Sequence, residues 1–484
     1  MMLKTIVKLG FLGVCGVLIA ISMAQARAID ITNQRQLFLD NTLIDSQENV
    51  RLVLHHPHDE GPVLRFDKPW EGAFCGYATV IKDQDIYRLY YRGLPKAGKD
   101  GSTNEKTCYA ESRDGIRWDK PVLRLFEVDG SWENNVILAN AAPVTHNFSP
   151  FLDSNPAATP KERYKALGGT QASGLMYYVS ADGKRWRPFR PEPVLTQGAF
   201  DSQNVAFWSQ TEGCYVCYFR TWSKGGYKGF RTVSRCTSKD FINWSDPVPM
   251  EFGDTPWEHL YTNQTHPYFR APQIYLAIAA RFLPGRQVLS QSEAERLNVN
   301  PKYFKDCSDA VLMSSRGGTR YDRRFMEGFI RPGMGLENWV SRSNYPALNV
   351  VPTGADEMSV YVNCNYAQPT ANLRRYSLRL DGFVSVWAPY TGGELVTRPF
   401  TFSGDFLEVN FATSAAGGIQ IEVQDTNGIP IPGFGMDQCP ILIGNEISRK
   451  VKWIPRSKLA EIKQPIRLRF RIKDADVYSF RFFK

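Results

Sequence analysis

The sequence predicts an all-β fold, a five-bladed β-propeller followed by a C-terminal β-sandwich, and three observations carry this prediction. Long stretches with helical periodicity are scarce, and short runs rich in Val, Ile, Tyr and Phe, broken by Asp-Gly, Asn and Pro, dominate the chain. These runs recur five times in the same order. After about residue 390 the recurring order stops, while short alternating strands with Gly or Asn turns continue.

The recurring unit consists of a strand, a polar hairpin, a strand, a variable loop, a strand and a tight turn that leads into a fourth strand. In the first copy, "ATVIKDQDIYRLYYRG" is followed by "TCYAESRDGIRWDKP". The five turns are anchored at Asp114-Gly115, Asp182-Gly183, Asp240, Gly317-Gly318 and Asp381-Gly382. Five copies of a four-stranded unit indicate a five-bladed propeller, in which each sheet buries both faces against its neighbours.

Two residue types that recur in this unit are expected to be structural. Asp and Gly at tight turns satisfy local backbone groups and tolerate positive φ, so we expect the turn aspartates to stabilise the turns. Three copies carry a tryptophan after the turn, namely Trp118, Trp186 and Trp244. We expect these tryptophans to pack between blades.

Composition divides the chain into four segments. Residues 1–28 combine Lys4 and Lys8, an apolar run and small residues at Ala24 and Ala26, which is typical of a secretory signal peptide. Residues 29–60 are expected to supply strands that close the propeller, residues 61–389 the five blades and residues 390–484 the β-sandwich. We therefore expect an exported protein, periplasmic or extracellular. No membrane span is expected, because no later segment approaches the ~20 apolar residues that a span needs.

The charge of the chain limits the classes of binding partner that we expect. The net charge is +9, but the chain has no basic run, helix-turn-helix pattern or zinc-finger spacing, so no nucleic-acid partner is expected. A modest positive balance suits the approach to an anionic polysaccharide.

Cys214 and Cys217 form a Cys-x-x-Cys pair inside the apolar run "CYVCYFR", where buried strand cysteines are the preferred interpretation. No metal site or cofactor is predicted, and a structural calcium and the oligomeric state stay open.

The repeat units carry a resemblance to a known group. Units such as "YAESRDGIRWDKP" and "YYVSADGKRWRP", followed by a β-sandwich, resemble the invertase, levansucrase and arabinanase group of five-bladed glycosidases, and in particular its exported members without the standard motifs. The Trp-Met-Asn-Asp-Pro-Asn-Gly, Arg-Asp-Pro and Glu-Cys motifs of the group are absent. The resemblance implies a glycoside hydrolase that acts on an oligo- or polysaccharide through a carboxylate acid and a carboxylate base or nucleophile.

Candidate site residues precede the first strand of each blade. In a propeller these strands line the central channel, so the residues just before them gather at one end. The five segments are rich in acids, amides and aromatic residues, which is the composition that a sugar site needs. Asp201 is the predicted base or nucleophile, and Glu71 or Glu258 is the predicted proton donor. The predicted sugar-binding residues are Trp70, His146, Asn147, Gln203, Asn204, Trp257, Tyr261, Asn263, Arg342 and Asn344.

The same residues allow two other functions. Without a matched pair of carboxylates, the aromatic and amide groups would serve a non-catalytic extracellular glycan-binding protein. A propeller lyase would use His146 or Tyr261 as its base. Geometry separates the first alternative from hydrolysis, because a retaining pair of carboxylates lies ~5–5.5 Å apart and an inverting pair ~6.5–9.5 Å apart. Acids farther apart, or salt-bridged to Arg342, would favour binding alone.

Overall fold

The structure is a computed structural model that describes residues 28–455 and 458–484. Strands dominate it, and the described residues contain one short α-helix, α1 (Gln291–Arg296). The predicted signal peptide lies outside the described residues except for Ala28. Across the described part of the chain, no helix is long and apolar enough to cross a membrane.

Five strands precede the blades. They are β1 (Ile29–Asp30), β2 (Gln36–Leu37), β3 (Ile44–Glu48), β4 (Arg51–Leu54) and β5 (His58–Arg65).

Five antiparallel sheets follow in chain order, and they form the blades of the propeller. The first contains β6 (Gly76–Asp83), β7 (Ile86–Gly93), β8 (Lys106–Ser112) and β9 (Val136–Leu138). The second contains β10 (Ser149–Leu152), β11 (Tyr164–Thr170), β12 (Gly174–Ser180) and β13 (Arg187–Pro188). The third contains β14 (Val205–Ser209), β15 (Cys214–Trp222), β16 (Arg231–Ser238) and β17 (Val248–Pro249).

The fourth and fifth blades are less regular. The fourth contains β18 (His259–Leu260), β19 (Thr265–Tyr268), β20 (Ala271–Leu283) and β21 (Cys307–Ser315), with β18 and β19 both paired to β20. The fifth contains β22 (Tyr345–Pro346), β23 (Val351–Pro352), β24 (Glu357–Cys364) and β25 (Asn372–Arg379), and β5 completes it. The all-β, five-bladed architecture predicted from the sequence is confirmed.

Ring closure depends on one N-terminal strand. β5 pairs antiparallel with β25, with Arg65 opposite Asn372 and His58 opposite Ser377. The strand that joins the fifth blade thus spans residues 58–65, whereas β2, β3 and β4 pair with C-terminal strands. Phe38 and Leu43 belong to the C-terminal core, where a larger apolar surface is available to them.

The C-terminal part is an eight-stranded sheet that includes β2, β3 and β4. Its own strands are β26 (Val384–Ala388), β27 (Gly393–Thr397), β28 (Phe400–Thr401), β29 (Phe406–Gln424), β30 (Asn445–Lys450) and β31 (Arg467–Phe483), of which β28 pairs with β1 outside this sheet. β31 pairs with β29 along most of its length. Its other edge pairs with β27, β26 and β2 in turn. Leu468, Phe470 and Ile472 of β31 are buried, as period-two alternation requires.

Three of the four turn aspartates stabilise their own turns, as predicted, whereas the carboxylate of Asp381 binds Tyr268, Arg270 and Ser479 instead. Oδ1 of Asp114 accepts the backbone N–H groups of Ile116 and Arg117 at 2.8 Å. Asp182 and Asp240 bind the corresponding N–H groups of their own turns in the same way. These carboxylates are therefore engaged by local backbone.

Two of the predicted blade-spacing tryptophans contact a neighbouring blade. The ring of Trp186, in the second blade, lies 6.3 Å from Tyr90 of the first. The ring of Trp118, in the first blade, lies 5.7 Å from Tyr361 of the fifth. The eight described cysteines are free and buried, and Cys214 and Cys217 lie within β15, in agreement with the structural interpretation of that pair.

Candidate active site at the mouth of the propeller

The five segments that precede the innermost strands meet at one end of the channel, which we call the channel mouth. The Tyr345 ring of the fifth blade lies 5.2 Å from that of Tyr261 and 6.4 Å from that of Tyr77. The second blade joins through Asn147, whose Oδ1 accepts a 3.1 Å hydrogen bond from Arg92. Asp201 of the third blade pairs with Arg220, which lies over Tyr261. Side chains from all five blades are therefore linked.

Left-handed backbone occurs in every one of the same five segments. Each of the five contains a non-glycine residue with φ between 44° and 63°, namely Tyr77, Asn147, Phe200, Gln264, Arg342 and Asn344. The left-handed region is unfavourable for such residues, above all for aromatic ones. Strained backbone of this kind recurs at functional sites, where it holds side chains in set positions.

Tyr261 lies at the centre of a cationic group. The Cζ atoms of Arg220, Arg231 and Arg342 lie 4.4, 5.1 and 5.7 Å from its ring centroid. We call Tyr261, these three arginines and Asp201 the Tyr261 cluster. Burial by itself raises the pKa of Tyr261, but the guanidinium groups of Arg342, Arg220 and Arg231 outweigh it and lower the pKa of the phenol to about 8.

The Tyr261 cluster has more positive than negative charge. Arg220 has Asp201 as its ion-pair partner. Arg342 donates to the Tyr303 hydroxyl at 3.1 Å, and Nε of Arg231 is buried without a hydrogen-bond partner. Within the described residues, neither Arg231 nor Arg342 has a carboxylate oxygen within 4.0 Å. Burial and the charge of Arg220 lower the pKa of Arg231.

The three predicted carboxylates are held apart by separate cations. Asp201 alone joins the Tyr261 cluster. Glu71 is fully buried, accepts hydrogen bonds from Tyr91 and the Lys68 backbone, and pairs with Lys120 at 2.6 Å. Glu258 pairs with Arg281 at 2.7 Å and with Arg323 at 2.9 Å. The structure therefore brings neither Glu71 nor Glu258 into contact with the cations around Asp201.

Most of the amide side chains that were predicted to bind sugar form hydrogen bonds with other groups of the protein. Gln203 donates to Thr79 at 2.7 Å and accepts from Gln264 at 2.7 Å, so it plugs the channel between blades. Asn204, Asn263 and Asn344 bind neighbouring backbone groups. The Trp70 indole donates to Asn135 within the first blade.

His146 belongs to a buried polar network. Asp100, Glu105 and His146 bring ligand-type atoms within 4.8 Å of one another. Nδ1 of His146 lies 2.9 Å from Glu105, and Nε2 lies 3.1 Å from the Asn147 amide, so both ring nitrogens are engaged. Burial raises the pKa of Glu105, but the hydrogen bond from His146 and the charge of Arg92 bring it below its usual value. The arrangement acts as a hydrogen-bond network behind Arg92.

Trp257 lies at the outer edge of the channel mouth. Its side chain is 56% exposed, and its ring stacks on Phe230 at 6.1 Å with an interplanar angle of 19°. Phe230 contacts His259, which in turn contacts Trp222 beneath Arg231. A cavity of about 400 Å³ beside Trp257 is also lined by Phe252. An aromatic path therefore leads from the surface to the Tyr261 cluster.

Sequence reasoning missed three arginines, Arg92, Arg220 and Arg231. Arg92 and Arg220 occupy matching places near the ends of second strands, in "IYRLYYRG" and "CYVCYFRTW". In an antiparallel hairpin the end of the second strand lies beside the start of the first, at the channel mouth. An arginine at the end of the second strand of a blade could have identified both.

Comparison with known proteins gives similarity at the level of structure. No protein-family model matches the chain, and no curated protein matches it. A solved structure described as a glycoside hydrolase is 12% identical, with a TM-score of 0.45 over 67% of this chain and 92% of that chain.

Two further solved structures are similar to the chain. An N-acetylgalactosamine deacetylase from F. plautii, in complex with blood group B trisaccharide, is 12% identical, with a TM-score of 0.42 over 69% of this chain and 96% of that chain. A glycoside hydrolase family 43 arabinoxylan arabinofuranohydrolase from Bacillus subtilis is 11% identical, with a TM-score of 0.41 over 87% of this chain and 99% of that chain.

Proposed function

We propose that the protein is an exported enzyme that binds an acidic oligo- or polysaccharide at the channel mouth and cleaves its glycosidic bonds. The observation that carries the proposal is the pair of guanidinium groups beside Tyr261, those of Arg231 and Arg342, for which the described residues provide no carboxylate partner. Partly buried charge without a partner is costly, and an anionic ligand supplies the missing charge. The planar guanidinium fork also matches a carboxylate or sulfate group in bidentate geometry.

The surroundings of the arginines favour a sugar as the carrier of that negative charge. The rings of Tyr261 and Tyr345 pack together, nearly buried, at the channel mouth, and Trp257 provides an exposed aromatic face at its edge. Aromatic faces combined with a few charged donors are typical of carbohydrate sites. Glycoside hydrolysis is the reaction that the architecture predicts, and Asp201 is the predicted carboxylate that lies in the cluster.

A second candidate function, glycan binding without catalysis, is favoured by one specific observation. Asp201, Glu71 and Glu258 are each held in an ion pair by a different cation. Each carboxylate is thus bound to its own partner within the protein, whereas a glycosidase needs two carboxyl groups that face the same glycosidic bond. Release of reducing ends from an acidic glycan separates the two functions, because a binding protein releases none.

Replacing Arg342 or Arg231 with Gln is expected to weaken the binding of acidic oligosaccharides about tenfold or more. Each replacement removes a charge-assisted hydrogen-bond donor, which contributes roughly 1.5–3 kcal/mol. Titration calorimetry with a uronic acid oligosaccharide and a neutral one of equal length measures the effect. Arg185→Gln is the control, because Arg185 is exposed and pairs with the turn residue Asp182. Equal affinity for the acidic and the neutral sugar would contradict the proposal.

A further inference from the structure

We infer that Tyr261 is a catalytic residue that transfers the proton in a β-elimination, which cleaves the C4–O bond of a uronic acid unit held by Arg231 and Arg342. This inference rests on the proposed function, since it requires an acidic glycan at the channel mouth. It assigns a lyase reaction to the Tyr261 cluster, in place of hydrolysis by carboxylates.

The position of Tyr261 suits a phenolate base. Three guanidinium groups surround its ring, and the residue is 6% exposed, so the charges act in a site from which most water is excluded. The net effect of these cations over burial is the lowered pKa of about 8. Near neutral pH, a fraction of the Tyr261 side chains is therefore ionised.

The other ionisable groups of the channel mouth differ from Tyr261. Tyr345 and Tyr77 contact the same cluster, but burial raises the pKa of each well above its usual value. Burial also raises the pKa of Tyr366, which accepts a hydrogen bond from Arg92 at 3.3 Å. The remaining charged groups that face Tyr261 are the three arginines and, through Arg220, Asp201. Tyr261 is thus the phenol in this group that ionises most readily.

Arg231 and Arg342, for which the described residues provide no ion-pair partner, explain why elimination fits the site. A uronic acid carries its carboxylate on C5, and neutralisation of that carboxylate by a guanidinium makes the C5 proton more acidic. Arg231 and Arg342 both lie over Tyr261, the residue that would remove the proton, and their Cζ atoms are within 5.7 Å of its ring centroid. Elimination needs neither a protonated carboxyl group nor a water nucleophile. The ion pair of Asp201 with Arg220 therefore does not hinder this reaction.

The step balances without any further reactant. The Tyr261 phenolate takes the C5 proton, and the electron pair of that C–H bond forms the C4=C5 double bond. The C4–O bond breaks, and the departing oxygen receives the proton back from the Tyr261 phenol. The products are a saccharide with a new reducing end and a uronate with a double bond conjugated to its carboxylate. Tyr261 ends as the phenolate from which it began.

Tyr261→Phe is expected to lower kcat on an acidic oligosaccharide at least about 100-fold, since general acid–base groups contribute this much, while binding persists. The assay follows the ultraviolet absorbance of the conjugated double bond. Tyr218→Phe is the matched control: Tyr218 is also buried beside an arginine, Arg235, but that arginine pairs with Glu212. We expect the control variant to retain the activity and the thermal stability of the wild type.

The pH profile gives a second readout that does not depend on the folding of the Tyr261 variant. Activity is expected to rise with pH through about 8, because the phenolate is the active form. Arg342→Gln removes a cation and should move the midpoint to higher pH. Asp201→Asn removes the anion beside Arg220 and should move the midpoint to lower pH. Unshifted midpoints in both variants would overturn the inference.

Product analysis separates failure of this inference from failure of the proposed function. Unsaturated products with no heavy oxygen from labelled water support elimination. Saturated products that carry solvent oxygen overturn it and leave glycan cleavage intact, with loss of activity in Asp201→Asn expected in that case. Absence of binding to any acidic glycan overturns the proposed function as well.

Discussion

Glu71→Gln is expected to lower the free energy of unfolding by about 3 kcal/mol, while turnover per folded molecule stays unchanged. Glu71 has no exposed surface, and its Oε2 lies 2.6 Å from Nζ of Lys120. Removing one charge of a buried pair leaves the other poorly compensated, which costs far more than an exposed pair is worth. Chemical denaturation and activity corrected for the folded fraction measure the two quantities.

Asp67 offers the matched control for this prediction. It pairs with the same ammonium group of Lys120 at 2.9 Å, but its side chain is 61% exposed. Asp67→Asn is therefore expected to cost less than about 1 kcal/mol. If Glu71→Gln instead left stability intact and abolished turnover, Glu71 would be the proton donor that the sequence predicted.

Asp381→Asn is expected to destabilise the protein by about 3 kcal/mol or more and to loosen the propeller from the C-terminal sheet. Asp381 is fully buried and pairs with Arg270 at 3.0 Å and with Arg35 at 3.4 Å. It also accepts hydrogen bonds from Tyr268 of the fourth blade at 2.8 Å and from Ser479 of β31 at 2.6 Å. Loss of its charge leaves two arginines without their shared partner.

Differential scanning calorimetry tests this expectation, because uncoupling of the two parts should broaden or split the unfolding transition. Asp114→Asn is the control, since Asp114 occupies the equivalent turn of the first blade but binds only groups of its own turn. We expect the control to lose about 1 kcal/mol and to unfold in one transition. A single sharp transition in Asp381→Asn would show that this carboxylate does not couple the two parts.

The fold could be predicted from the sequence because its determinants are local and repeated. The turns at Asp114, Asp182 and Asp240 bind their own backbone, so the sequence pattern and the structure coincide there. The pairing of β2, β3 and β4 with the C-terminal sheet could not be predicted, because it depends on which apolar surface lies nearest in space. No local pattern encodes that choice.

The candidate site was predictable in its location and much less so in its chemistry. Residues before each innermost strand were expected to gather at one end of the channel. This rule identified Asp201, Tyr261 and Arg342, and all three belong to the Tyr261 cluster. It also selected Glu71 and Gln203, whose partners lie in the protein interior. Whether a polar side chain faces a ligand or a buried partner depends on long-range contacts. Arg220 was overlooked because it lies inside an apolar strand.

The closure of the ring by β5 has a consequence for synthesis and folding. β5 leaves the ribosome long before β25, its partner in the fifth blade, so it has nothing to pair with while the first four blades are being made. Contacts between such distant parts of a chain slow folding, because the intervening segment must be ordered before they form. Until then, β5 and the β25 edge of the fifth blade stay open to pairing with other chains. We therefore expect the yield of folded protein to fall steeply as its concentration during refolding rises.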